Sequence, residues 1–201
     1  MAEQENIKIF DLYESKNIEI RDAALRPWVN ISAKLLVKSH GRKQDKYSSA
    51  KMHIIERFAN RLGVPGHLGK KHRIITSWSS GKYNKNMGTF LKVLAILQEK
   101  TGLNPMQVLM QALENGSPRD EITVIESAGA RYPQAVDCSP ARRIALAVRW
   151  LVQGAYSKSF GKKNKMANAL ANEIMLAAKG SMDSYAVVKR NEAEKQADAA
   201  R

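Results

Sequence analysis

The stretch Ser139 to Lys165, SPARRIALAVRWLVQGAYSKSFGKKNK, decides the fold, because a start signal, a buried stripe and a cationic flank share one segment. Ser139 places a side-chain oxygen ahead of Pro140, whose fixed φ suits a first helical turn. Ile144, Ala147, Val148, Leu151 and Val152 recur at three- and four-residue spacing, which predicts one apolar stripe on a helix with Trp150 beside it. Arg142, Arg143 and Arg149 lie off the centre of that stripe. Beyond Gly154 come Lys158, Lys162, Lys163 and Lys165 with no acid among them, so the helix and its exit form a strip suited to a polyanion.

Charge elsewhere also falls in blocks. The 201 residues carry 33 Lys and Arg against 19 acids, a net +14, with a pI near 9.9. That balance favours a nucleic-acid binder over a metabolic enzyme. Residues 1–39 hold six bases and six acids, 40–100 hold thirteen against three, 101–139 sum to −3 and 140–201 to +7. A binding footprint needs such segregation; a merely soluble surface does not. The single cysteine, Cys138, excludes an intramolecular disulfide and a multi-cysteine zinc site. No apolar run reaches the length of a membrane span, and the polar start MAEQENIKIF lacks the pattern of a signal peptide. A cytoplasmic location without a membrane partner is expected.

Outward from the organising helix, the pattern predicts a mainly α fold. It is a single helical bundle of about six helices, with an inserted β-hairpin arm and an N-terminal extension. Residues 1–46 are the extension. IKIFDLYESKNIEI alternates apolar and polar groups across Lys16-Asn17, as short strands do, and the tract HGRKQDK adds Arg42, Lys43 and Lys46. Residues 47–201 are the helical domain. Ser48 or Ser49 is the expected cap of a helix that buries Met52, Ile55, Phe58, Ala59 and Leu62, leaves Lys51, Arg57 and Arg61 outside, and ends at Gly63 and Pro65. An irregular stretch to Asn86 then interleaves Lys70, Lys71, His72, Arg73, Lys82 and Lys85 with Trp78 and Tyr83, as RNA-contacting loops do.

MGTFLKVLAILQEKTG is apolar on most sides and reads as the central helix. Asn104-Pro105 opens the next, which ends near Asn115-Gly116. Between Pro118 and Ser139 the period changes to two. The runs Ile122–Glu126 and Tyr132–Asp137, joined across Ala128-Gly129-Ala130, predict a hairpin over 119–138. After the organising helix, Asn164 is the expected cap of a helix burying Met166, Leu170, Ile174 and Ala178 and ending at Gly180. A last helix starts from Asp183 or Ser184, and the very end of the chain is expected to fray.

Catalytic chemistry has little support. His67 and His72 lack a third ligand at usable spacing, so they read as solvated or RNA-facing, and Cys138 has no histidine that the sequence pairs with it. Glu121, Glu126 and Asp137 are better explained as solvated or cross-strand-paired than as an acid–base pair. No Walker loop and no GxGxxG occur, and neither metal nor cofactor is expected. A DNA-reading helix-turn-helix over 104–157 is disfavoured because a hairpin separates its helices. Structured RNA remains, with Trp78, Tyr83 and Tyr132 available for stacking on unpaired bases.

The run Ala135-Val136-Asp137-Cys138-Ser139-Pro140-Ala141-Arg142-Arg143-Ile144, with Ala147-Val148-Arg149-Trp150 after it, resembles the family of the seventh small-subunit ribosomal protein in its archaeal and eukaryotic form. Thr101-Gly102-Leu103-Asn104-Pro105, Ala112-Leu113-Glu114-Asn115, Leu170-Ala171-Asn172-Glu173 and Ser184-Tyr185-Ala186-Val187-Val188-Lys189-Arg190 match in the same order. The resemblance implies a non-catalytic helical protein with a hairpin arm. Such a protein binds rRNA of the 3′ major, or head, domain and acts early in assembly of the head. It lies beside small-subunit protein eleven, near the mRNA exit path and the exit-site tRNA. It assigns RNA contacts to Arg142, Arg143 and Arg149 and to the basic N-terminal tract, and it brings the tip around Gly129, Arg131 and Tyr132 towards tRNA. Glu126, Ser127 and Pro133 depart from the more basic arm of many relatives. The expected RNA-binding set comprises Arg42, Lys43, Lys46, Lys51, Lys70, Lys71, His72, Arg73, Lys82, Lys85, Arg142, Arg143, Arg149, Lys158, Lys162, Lys163 and Lys165. The alternative is an RNA-modifying enzyme or its RNA-binding accessory subunit.

Overall fold

Six α-helices and one two-stranded hairpin make up the main elements among the described residues, 8–35, 37–39, 48–66 and 82–201 of the computed structural model. In chain order these are α1 (Ile54–Leu62), α2 (Tyr83–Thr101), α3 (Pro105–Gly116), β1 (Asp120–Ser127), β2 (Ala130–Asp137), α4 (Pro140–Ser159), α5 (Met166–Ala178) and α6 (Tyr185–Asp198). A single 3-10 turn covers Arg26–Trp28.

The most apolar helix, α5, sits in the middle and packs against α2, α3, α4 and α6. Its buried face, Ala169, Leu170, Ala171, Ile174 and Ala177, is mostly small, so neighbouring backbones come close. Phe58 of α1 and Phe90 of α2 stack at 5.0 Å between centroids. The expected stripe of α4, Ile144, Ala147, Val148, Leu151 and Val152, is wholly buried. Gly154 lets α6 approach α4: a Cβ there would lie 2.6 Å from Tyr185 Cβ and 3.0 Å from Glu173 Cδ. Glu173 is itself fully buried, accepting from Lys158 Nζ at 2.6 Å and from Ser184 Oγ at 2.8 Å. One carboxylate therefore joins three helices, which its charge permits only because both partners reach it.

Four expectations about element ends need correction. The first helix starts at Ile54 and not near Ser48 or Ser49. Residues 48–52 fold as turns, and His53 is the cap, its Nδ1 accepting from Ile55 N–H at 3.2 Å. The cause is the N-terminal segment: Asn30 O accepts the Ile54 N–H at 3.0 Å, and Asn30 Nδ2 donates to Lys51 O at 2.6 Å, so the first turn is already engaged. Helix α2 begins at Tyr83, inside the stretch expected to be irregular to Asn86. Helix α5 takes Lys165, not Asn164, as its N-cap residue. The very end of the chain, expected to fray, folds back on the hairpin: Ala197 is fully buried and Arg201 Nη2 bonds Asp120 Oδ2 at 2.6 Å.

Residues 8–35 form no strand; only isolated bridges, Ile9 with Tyr13 and Asn30 with His53, occur there. The alternating pattern instead marks a strap whose apolar side chains enter the main core. Ile9, Tyr13, Ile20 and Leu25 are buried with the helices. The strap is held by backbone groups: Glu19 N–H donates to Gln107 Oε1 at 2.8 Å, Gln107 Nε2 returns to Glu19 O at 3.0 Å, and Asn104 Nδ2 donates to Glu14 O at 2.9 Å.

The hairpin appears where the period changes. Its strands pair antiparallel from Asp120 with Asp137 to Ser127 with Ala130. Ala128 (φ 50°) and Gly129 (φ 81°) both take positive φ, the two-residue turn that matches strand twist. Cys138 N–H donates to Arg119 O at 2.7 Å and closes the base.

Candidate nucleic-acid interface

The cationic residues of α1 and α4 converge on one cleft. Arg57 and Arg61, four apart on α1, face Arg142 and Arg149, seven apart on α4, so each pair recurs on one side of its helix. Asn60, Ser49 and Met52 complete a cavity of about 420 Å³ that has no carboxylate among its described lining residues. Arg57 is fixed by Ser49 O, which accepts from its Nε at 2.9 Å. Burial, and then the neighbouring Arg149 charge, hold the Arg61 guanidinium below its ordinary pKa. Like charges brought together in a partly desolvated cleft favour any anion that enters it. Arg142 is shifted the other way: Glu121 of β1 bonds it and raises its pKa.

A second, apolar cleft of about 1070 Å³ lies between the α2 start and the α4–α5 turn. Tyr156 and Phe160, with ring centroids 5.3 Å apart, contribute to it, and Lys85, Lys162 and Lys165 stand at its edge. Phe160 is among the exposed large apolar side chains.

Residues 30–201 match the family model described as Ribosomal protein S7p/S5e. The chain belongs to the ribosomal S7p/S5e family. Three similar proteins carry the name small ribosomal subunit protein uS7. That of Nanoarchaeum equitans is 41% identical over 97% of this chain and 99% of its own length. Those of Thermoplasma volcanium and Cenarchaeum symbiosum are 35% and 34% identical, over 96% and 100% of this chain and the whole of theirs. These names are of ribosomal proteins, and this member of the S7p/S5e family is a ribosomal protein, not an enzyme.

Within the S7p/S5e fold the expected site residues separate into groups. Lys51, Lys82, Lys85, Arg142, Lys162, Lys163 and Lys165 are exposed, and Arg149 is half-buried in the arginine cleft. Arg143 is not at the surface: only 8% exposed, it donates from Nε to Pro118 O at 3.1 Å and from Nη2 to Asp22 Oδ2 at 2.7 Å. Burial works to raise the Asp22 pKa, but the Arg143 bond and charge outweigh it and hold the carboxyl below its usual range. Lys158 is committed to Glu173 and to Asp183 O at 3.0 Å. Arg42, Lys43, Lys46, Lys70, Lys71, His72 and Arg73 lie outside the described residues.

At the hairpin tip Gly129 occupies the turn, Arg131 pairs with Glu126 at 3.7 Å, and Tyr132 is 59% exposed opposite Ile125. The tip is therefore apolar and charge-compensated, not cationic. Cys138 is buried, and burial followed by Glu121 pushes its thiol up to about 12, the behaviour of a packed and unreactive group. The residues that sequence pattern left out of the expected set are Arg57, Asn60 and Arg61. Their signal was the four-residue recurrence of arginine on one side of α1. Among the described residues no cluster of three metal-ligating side chains occurs, and no helix is long and apolar enough to cross a membrane.

Proposed function

We propose that this chain binds small-subunit rRNA as a structural component of the subunit, with the α1–α4 arginine cleft at the centre of the contact. The observation that carries the reading is the convergence of Arg57, Arg61, Arg142 and Arg149 on a cleft whose described lining holds no acid. Arginine forks match phosphate oxygens, and the lysines at the α4–α5 turn extend the footprint along a backbone. The names of the relatives, all small-subunit proteins, favour a partner within that subunit. The RNA is the 3′ major domain, where the protein nucleates the head early in assembly. It then lies in the cytoplasm near the mRNA exit path and the exit-site tRNA, beside protein eleven. In this reading Arg143 and Lys158 contribute through the fold, and the hairpin tip meets its neighbours through Tyr132, Ile125 and Val124 more than through charge.

Binding of a 3′-domain rRNA transcript, titrated against salt, tests the proposal. With about six phosphates neutralised, log K falls against log salt with a slope near −4 to −5. Replacing Arg142 and Arg149 together by Ala flattens the slope by about 1.5, at roughly 0.7–0.9 per phosphate. An unchanged slope places the footprint elsewhere, and recovery of the protein mainly in the free pool, not with small subunits at moderate salt, overturns the ribosomal role.

A further inference from the structure

Within the cleft, Arg142 is already held by an acid on the hairpin. Its partner, Glu121, lies on β1 opposite Val136, at the base of the arm. The two side chains differ in accessibility: Arg142 is 56% exposed and Glu121 is 20% exposed. The acid is thus the more buried of the two, on a strand whose hairpin is closed by the Cys138 N–H to Arg119 O bond of 2.7 Å. The base is the accessible partner, and its guanidinium also lines the cleft. A carboxylate and a phosphate present the same pair of acceptor oxygens to an arginine fork.

We infer that Glu121 is a built-in competitor for the RNA phosphate at Arg142, holding the guanidinium in the free protein and losing it to a backbone phosphate when RNA binds. The inference rests on the RNA-binding reading above. A pair whose arginine is 56% exposed contributes too little to resist a phosphate already attracted by Arg61 and Arg149, yet it subtracts from affinity because it must be broken. The exchange also couples two parts of the molecule. In the free protein the pair ties the base of the hairpin to the first turn of α4, and binding at the cleft releases that tie, so occupancy of the arginines is communicated to the arm.

The experiment uses the full chain and a 3′-domain rRNA transcript. Glu121→Gln keeps the shape and removes the charge. Affinity is expected to rise about 2- to 5-fold, the range set by surface ion pairs, with the salt slope little changed, because Arg142 neutralises the same phosphate in both proteins. In an Arg142→Ala background the same substitution should change affinity by less than about 1.5-fold, since the coupled partner is gone. Glu126→Gln, which removes an equal charge from the exposed pair with Arg131, controls for net charge and should have no comparable effect. Weaker or unchanged binding by Glu121→Gln overturns the inference, as does an equal gain with Glu126→Gln or in the Arg142→Ala background. If the unaltered chain fails to bind the transcript, the RNA-binding reading itself is what falls.

Discussion

Acidification attacks the joint between the strap and α1 through His53. The imidazole is 3% exposed, and its Nδ1 accepts the Ile55 N–H, a role open only to the neutral ring. Burial first, then the Lys34 charge, push its pKa down to about 4, with the Ser32 backbone offsetting part of the shift. The unfolded chain binds a proton near pH 6.5 and the folded chain does not until about 4. Stability is therefore complete above 6.5 and drains away as pH falls between those values. The loss amounts to about 2 kcal/mol at pH 5 and approaches about 3 kcal/mol below pH 4. Asp22, whose carboxyl is held low by Arg143, adds its own loss only further down, as pH drops through the carboxylate range. Urea titrations at pH 7.5, 6, 5 and 4.5 on the unaltered chain and on His53→Asn isolate the effect, because Asn caps a helix without titrating. The two stability curves should converge as pH falls, His53→Asn losing about 2 kcal/mol less by pH 5. Parallel curves would refute the buried, neutral cap.

Gly154→Ala should cost about 1–3 kcal/mol, because the new methyl meets Tyr185 Cβ and Glu173 and two helices must separate to admit it; thermal unfolding measures this. Arg143→Ala should lower stability by about 2–3 kcal/mol, leaving Asp22 and Pro118 O without their buried partner. Its RNA salt slope should stay within error of the unaltered chain, so a slope change as large as that of Arg149→Ala would return Arg143 to the interface. Glu173→Ala should destabilise by about 3 kcal/mol, since Lys158 and Ser184 lose their shared acceptor. Glu173→Gln, which keeps an acceptor for Ser184, should cost less in the same denaturation assay.

The helices that packing alone dictates were legible in the sequence. In α4 a start signal, a three-and-four spacing and a basic exit all pointed the same way, and in the hairpin the change to a two-residue period coincided with a turn whose Gly129 accepts positive φ. What depended on distant partners was not legible. The start of α1 moved to Ile54 because Asn30, twenty-four positions earlier, takes its first N–H. Alternation over 7–20 has two explanations, a strand or a strap with one side buried, and only the presence of Gln107 and Asn104 beneath it selects the second. Arg143 shows why a basic run cannot be read as a surface. It lies off the centre of the stripe, yet it is buried, and the acid that makes burial tolerable is Asp22, 121 positions away. In the candidate interface the sequence supplied α4 and its lysines, while the opposing wall, Arg57 and Arg61, emerged only when α1 was laid against α4.

The strap has a consequence for how the chain is made. Its seat is built from residues that follow it by 88 positions at Gln107 and by 121 at Arg143. At about 5–20 residues per second, synthesis needs roughly 6 to 24 s between the emergence of Asp22 and that of its partner arginine. Until the helices they pack against have emerged, Ile9, Tyr13, Ile20 and Leu25, all destined for the core, stay uncovered. Seating of the strap is slow because its contacts span most of the sequence. The newly made protein is thus at its stickiest along the strap, before the seat has been made.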